Sequence, residues 1–192
     1  MTLEEEQQLI NRIKKDPDAF GILFDLYYTV IFGYIFRRLV NYELARDIAS
    51  ETFLKAFLNI RSFQWKGIPV LFWLYRISNN EMQQYYRKKK YTPESLNSFV
   101  EAHGWDMPDP QTTREEKMQL EKDLQQHEDF LLVQQKIKQL PLLYQEVLAL
   151  RYFEQKTIKE IAMIQDKKEG TVKSLLSRGI EKLKKLLSYG TI

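Results

Sequence analysis

Apolar residues recur at intervals of three and four along most of the chain, and no stretch shows a sustained apolar–polar alternation. That spacing is the period of a helix laid against a core, whereas a strand repeats every second residue. Phe20, Phe24, Tyr27, Ile31, Tyr34 and Ile35 trace one stripe, and Ala45, Ala49, Phe53, Ala56 and Ile60 a second. Val70, Leu74, Ile77 and Tyr85 trace a third. Asp16-Pro17-Asp18 puts an acidic cap and a first-turn proline ahead of the first stripe, and Gly67 with Pro69 breaks the chain between the second and third. The pattern predicts a small helical bundle over residues 1–91.

The stripes stop there. Residues 92–126 hold Pro93, Gly104, Pro108 and Pro110 and more acids than bases, so a polar, partly extended linker is expected. A second helical block follows over 127–192. Pro141 can start a helix running to about Phe153. Thr157-Ile158-Lys159-Glu160 is a capping-box sequence for a short helix through Ile164. Asp166 can make a tight turn, since aspartate tolerates the left-handed conformation better than most residues. A longer basic helix carries GTVKSLLSR, residues 170–178.

Short helix, tight turn and longer helix is the helix-turn-helix plan. Ala162 is small where the two helices must cross, and Ile161, Val172 and Leu175 face the hub. Val172, Leu176 and Leu183 seat the long helix. Thr171 begins it, and Lys173, Ser174, Ser177 and Arg178 project on the other side, suited to the edges and phosphates of a DNA major groove. An amphipathic helix with a solvated lysine face is the alternative. The expected fold class is all-α: two small helical domains joined by a flexible linker, the C-terminal one containing a helix-turn-helix.

Composition adds constraints. With 192 residues and 44% hydrophobic content, the chain can bury a core. The net charge of +3 gains meaning when mapped: bases gather at Arg87–Lys90 and again in the last helix, on either side of the acidic connector. Two basic patches suit two contacts on one polyanion. Without cysteine, neither a disulfide framework nor a thiolate metal site is possible, and His103 and His127 are too isolated to hold zinc. No metal and no cofactor are expected. No glycine-rich nucleotide loop or nucleophile–base set appears, so an enzyme is not expected. The apolar run at residues 19–36 contains Asp25 and falls short of the ~20 apolar residues a bilayer requires. It is read as a core helix buried on most sides, with no membrane insertion. The charged N-terminus resembles no signal peptide, and a cytoplasmic location is expected.

Two surfaces of the first block suggest partners. Opposite its alanine-rich stripe, the second helix carries Asp47, Ser50, Glu51 and Lys55 together with Leu54 and Leu58. Leucines set among charges point to a docking face, the alternative being further packing in the bundle. Beyond it, Gln64, an exposed Trp65 and Lys66 lead into a helix bearing Arg76, Asn79, Asn80, Gln83, Gln84 and Arg87. Amides and bases interleaved with aromatics suit single-stranded DNA, where a base lies against a ring or is held at its edges. Trp73 is read as packing in the bundle. Arg87–Lys90 can hold phosphates without reading sequence.

TIKEIA, followed at the right distance by GTVKS and Arg178, resembles region 4 of bacterial extracytoplasmic-function sigma factors of the sigma-70 family. RDIASETFLKAF and, after a loop, FWLYRISNN and YYRKKK resemble region 2 of the same family. The departures are Ser50 where glutamine is usual, Leu175 and Ile180 where arginines are common, and Gln84 where aspartate is frequent. The resemblance implies a non-catalytic factor that binds core RNA polymerase at its clamp coiled coil and flap and directs initiation. Asp47, Ser50, Glu51, Leu54 and Lys55 would meet the clamp. Gln64, Trp65 and Lys66, with Arg76, Asn79, Asn80, Gln83 and Arg87, would recognise the −10 element of promoter DNA. Thr171, Lys173, Ser174, Ser177 and Arg178 would read the −35 element. The family also implies an anti-sigma factor as partner, and a linker path through the polymerase. Two other readings remain: a helix-turn-helix regulator that binds DNA without polymerase, and a helical adaptor with no nucleic-acid role.

Overall fold

Thr2 and Glu5 form a capping box at the head of α1 (Leu3–Lys15): the Glu5 amide donates to the Thr2 hydroxyl, and the Thr2 amide to the Glu5 carboxylate. The stripes do not reveal this helix, because only Ile10 and Ile13, with the carboxylate-bearing Glu6, go fully inward. The computed structural model describes residues 1–91 and 128–188. Asp16 caps a 3-10 turn (Pro17–Ala19) as expected, and that turn runs directly into α2 (Phe20–Leu39). Asn41 caps α3 (Tyr42–Asn59), and α4 (Val70–Tyr91) completes the first bundle. Gly67, at φ 70°, lies in the α3–α4 loop in a conformation that side chains resist. Glu6 ties the bundle together: it accepts a hydrogen bond from the Val70 amide at the head of α4 at 2.9 Å and another from the Tyr27 hydroxyl.

The alanine stripe of α3 is buried as the pattern requires, which lets this helix lie close to α2 and α4. On α2, Phe24, Tyr28, Phe32 and Phe36 form a ladder of stacked rings one turn apart, with centroids 4.7, 6.1 and 6.0 Å from one to the next. The segment Pro17–Leu39 is long and apolar enough to cross a membrane by length and composition. It packs against α3 and α4, but the expected burial on most sides is not met. Its neighbours cover the side of Ile31, Tyr34 and Ile35, while Ile22, Leu26 and Val30 stay exposed at the edge of the bundle.

The second block comprises α5 (Glu128–Lys138), α6 (Leu142–Leu148), a π-helical turn (Ala149–Phe153), α7 (Ile158–Gln165) and α8 (Glu169–Ser188). Pro141 precedes α6 as anticipated, but the last five residues of the expected helix are wound more widely; the Glu154 amide reaches back to the Ala149 carbonyl at 3.1 Å. The Thr157 box is present with both of its bonds, 3.2 Å from the Glu160 amide and 2.7 Å to the Glu160 carboxylate. Asp166 ends α7 in the left-handed conformation, φ 54° and ψ 48°. Gly179 of α8 faces Tyr144 and Leu148 of α6, so the two helices lie close there.

The described residues are thus helices and turns with no strand, in two blocks. The expected linker at 92–126 lies outside the described residues, as do His103 and His127. The blocks meet: α4 packs on α7, and α2 packs on α5 and the π turn. Replacing Thr157 by alanine removes a cap that satisfies α7's first amides, so unfolding in urea should lose about 1 kcal/mol of stability.

Candidate nucleic-acid interface

The apolar side of α8 places its polar side. Val172, Leu175 and Leu176 are buried against the hub, so Thr171, Lys173, Ser174, Ser177 and Arg178 are all exposed on the outward side. The Ser174 hydroxyl donates to the Gly170 carbonyl of its own helix at 2.9 Å. Leu175, where the family commonly has arginine, is a packing residue here, and only 8% exposed.

Of the second group of expected DNA contacts, Gln64, Lys66, Arg76 and Asn80 line a cleft of about 810 Å³ between the α3–α4 loop, α4 and α7. Gln64 and Lys66 are exposed on its loop side, and the loop is pinned by Lys14, whose ammonium donates to the Phe63 carbonyl at 2.6 Å. Trp65, expected to be exposed, is half-buried because it packs on the core beneath the loop. Trp73 packs against Phe63 with ring centroids 4.3 Å apart, in keeping with its reading as a bundle residue. Asn80 and Arg87 are exposed on α4, while Gln83 and Gln84 are half-buried.

Two of the expected α4 contacts are tied to the second block. The Arg76 guanidinium donates to the Ile164 carbonyl at 3.0 Å and the Met163 carbonyl at 2.8 Å. Both carbonyls belong to the last turn of α7, where helical partners run out, so Arg76 caps a helix of the other block. Asn79 is only 3% exposed. Its carbonyl accepts from the Tyr34 hydroxyl at 2.7 Å and from Arg38, and its amide donates to Glu146 of α6 at 2.8 Å. Asn79 is closed off because the face of α4 expected to read DNA is also its contact face with the second block.

Sequence patterning missed the groups that build this seam. Burial raises the Glu146 carboxyl above the ordinary glutamate range, and the Arg38 charge opposes the rise. Burial likewise raises the Tyr34 phenol. Beside this cluster, Glu154 follows the π turn, pairs with Arg37 and accepts from the Tyr75 hydroxyl at 2.8 Å. Lys156 sits over the rings of Phe72 and Tyr75, 5.9 and 6.0 Å from their centroids. One signal was available: Arg38 keeps step with Ile31, Tyr34 and Ile35, and a charge in phase with an apolar stripe is a candidate for a buried pair.

On α3, Asp47, Ser50 and Glu51 are exposed, and Leu54 and Leu58 stand 50% and 66% open, so the leucines do not extend the bundle's packing. Lys55 differs from its neighbours. It donates to Glu81 of α4 at 2.6 Å and lies 3.6 Å from Glu51, and its pKa is raised chiefly by the Glu81 hydrogen bond. No group of three or more acids or histidines among the described residues is placed to hold a metal ion.

Comparison with known proteins matches sigma-70 region 2 to residues 23–92 and sigma-70 region 4 to residues 130–183. The chain is 34% identical to the ECF RNA polymerase sigma factor SigW of Bacillus subtilis, over 93% of this chain and 94% of that protein. It belongs to the ECF sigma factors. The RNA polymerase sigma-H factor of Pseudomonas aeruginosa is 31% identical over 97% and 96% of the two chains. Among solved structures, CnrH in complex with the cytosolic domain of CnrY covers 95% of this sigma factor and 97% of its own chain, with TM-score 0.63 and 18% identity. RpoE in complex with the anti-sigma factor NepR, from Bartonella quintana, covers 89% and 98%, with TM-score 0.58 and 19% identity. At those identities the likeness is one of fold. In this sigma factor the first block is region 2 and the second region 4, so the Lys55–Glu81 pair braces region 2 from within. Glu81→Ala should cost only about 1 kcal/mol in thermal or urea unfolding, because Lys55 is partly exposed and regains water.

Proposed function

We propose a division of labour among the surfaces of this sigma factor, a non-enzymatic initiation factor that directs RNA polymerase to promoters. The outward face of α3 (Asp47, Ser50, Glu51 and Leu54, with Lys55 at its margin) docks on the clamp coiled coil of core polymerase, and region 4 reaches the flap. The cleft with Gln64, Trp65, Lys66 and the α4 residues Arg76, Asn79, Asn80, Gln83 and Arg87 takes the −10 element as separated strand. The exposed side of α8, with Thr171, Lys173, Ser174, Ser177 and Arg178, enters the major groove at the −35 element. The exposed bases of α8 supply charge for phosphates and donors for base edges.

One observation carries the choice of a sigma factor over a self-sufficient regulator: both regions occur in order in one chain that aligns with its relatives almost end to end. A regulator that binds DNA unaided has no need of region 2, and its exposed leucines speak for docking. The solved relatives are held by partners, and one of those partners is named an anti-sigma factor. A protein of that class is the proposed regulator of this chain. Its place of work is the cytoplasm, with the polymerase and the DNA.

Arg178→Ala should weaken discrimination of the cognate −35 sequence by about 1–3 kcal/mol, the loss expected for one good base contact. In vitro transcription from matched and −35-mutated templates measures it; equal discrimination by the parent and the variant would remove Arg178 from the reading set. Glu51→Arg should reduce affinity for core polymerase at least tenfold with an unchanged melting temperature. Core binding followed by fluorescence anisotropy tests this, and parental affinity would refute the clamp assignment.

A further inference from the structure

Both ends of the α3–α4 loop are fastened to α1, a helix that supplies no residue to the surfaces assigned above. Where the loop leaves α3, the Lys14 ammonium donates to the Phe63 carbonyl at 2.6 Å. Where it enters α4, the Val70 amide donates to the Glu6 carboxylate at 2.9 Å. That amide is one of the first-turn donors a helix leaves unpaired, and a carboxylate suits that end of α4. Glu6 is 5% exposed, and its other oxygen accepts from the Tyr27 hydroxyl of α2, so its direction is fixed. Glu6 and Lys14 fall on one side of α1 with Ile10 and Ile13, which are each 1% exposed and seat the helix. Both fastenings grip main-chain atoms and so set the course of the loop whatever its side chains do. Between them lie Gln64, Trp65 and Lys66, followed by Gly67 in the left-handed region at φ 70°. A loop held at neither end would sample many arrangements, and ordering it on a DNA strand would weaken capture.

We propose that α1 is a splint for the −10 loop and that Lys14 is a positioning residue for capture of the promoter strand. The proposal rests on the −10 role assigned to the loop above. Glu6, buried and steadied by Tyr27, is the fixed end of the splint. Lys14, half-buried, is the adjustable end. The ring of Phe63 is held by Trp73, while Lys14 sets the direction of the Phe63 carbonyl. That carbonyl shares a rigid peptide plane with the amide of Gln64, so turning one turns the other. Loss of the ammonium frees the loop at its first reading residue, while Glu6, Ile10 and Ile13 keep α1 in place.

The chain has no cysteine, so a spin label at Lys66→Cys follows the loop in the free full-length chain. In that background Lys14→Met, which keeps the apolar stem and removes the donor, should narrow the label's spectrum. Lys14→Arg, which can still donate, should return it to the parental width. In unlabelled chains, in vitro transcription from matched and −10-mutated templates should show discrimination reduced about fivefold by Lys14→Met, on the scale of one hydrogen bond, and restored by Lys14→Arg. Discrimination at −35 and affinity for core should stay parental, which a general loss of fold would not allow. An unchanged spectrum, or a freed loop with parental −10 discrimination, overturns the splint. So does an equal loss on every template with a flatter salt dependence, which would mark Lys14 as a phosphate contact. Gln64→Ala separates the splint from the reading beneath it. If that variant lowers −10 discrimination and Lys14→Met does not, the splint is wrong; if neither lowers it, the loop's reading role has failed as well.

Discussion

A carboxylate that is 6% exposed between three helices has to be answered by charge and by hydrogen bonds, or the helices cannot meet there. Glu146 of α6 is answered by Asn79 of α4, which in turn is held by Tyr34 and Arg38 of α2. Each member fixes the others. Arg38 and Tyr34 both donate to the Asn79 oxygen, so the amide can offer only its nitrogen to Glu146. The distance between regions 2 and 4 and the orientation of α4 beneath α6 follow from that arrangement. A change at any one member strands a buried polar group, at a cost of roughly 1–3 kcal/mol.

The two DNA-facing surfaces therefore stand in different states within one molecule. The α8 side is open, because its apolar residues are satisfied inside region 4 alone. The α4 side is partly covered, because its polar residues are satisfied by region 4. Leu175 belongs to the same account: region 4 uses for its own hub a position where the family commonly has arginine.

What could be read in the chain was what short-range rules decide. The Thr157 box, the left-handed Asp166, the alanine face of α3 and the outward side of α8 each depend on residues within one or two turns. The Thr2–Glu5 box is of the same kind, yet α1 went unread because its stripe is short and surrounded by charge. The partners of Arg76, Asn79 and Lys55 could not be read for a different reason. Those partners, Met163, Glu146 and Glu81, are remote along the chain, and no local spacing tells whether an arginine will meet a nucleotide or the end of another helix. Trp65 shows the same limit at smaller scale, since only the packing of the loop decides how much of the indole remains outside.

The π turn at Ala149–Phe153 works as a phase adjuster. An α-helix advances about 100° per residue, so the direction in which Glu154 leaves the helical segment is set by how many residues the wider coil takes up. Shortening that coil by one residue would rotate the carboxylate about a quarter turn off its line to Arg37 and Tyr75, while the side chain itself stayed unchanged. The length of the segment between Leu148 and Glu154 therefore sets whether the carboxylate meets its partners on region 2.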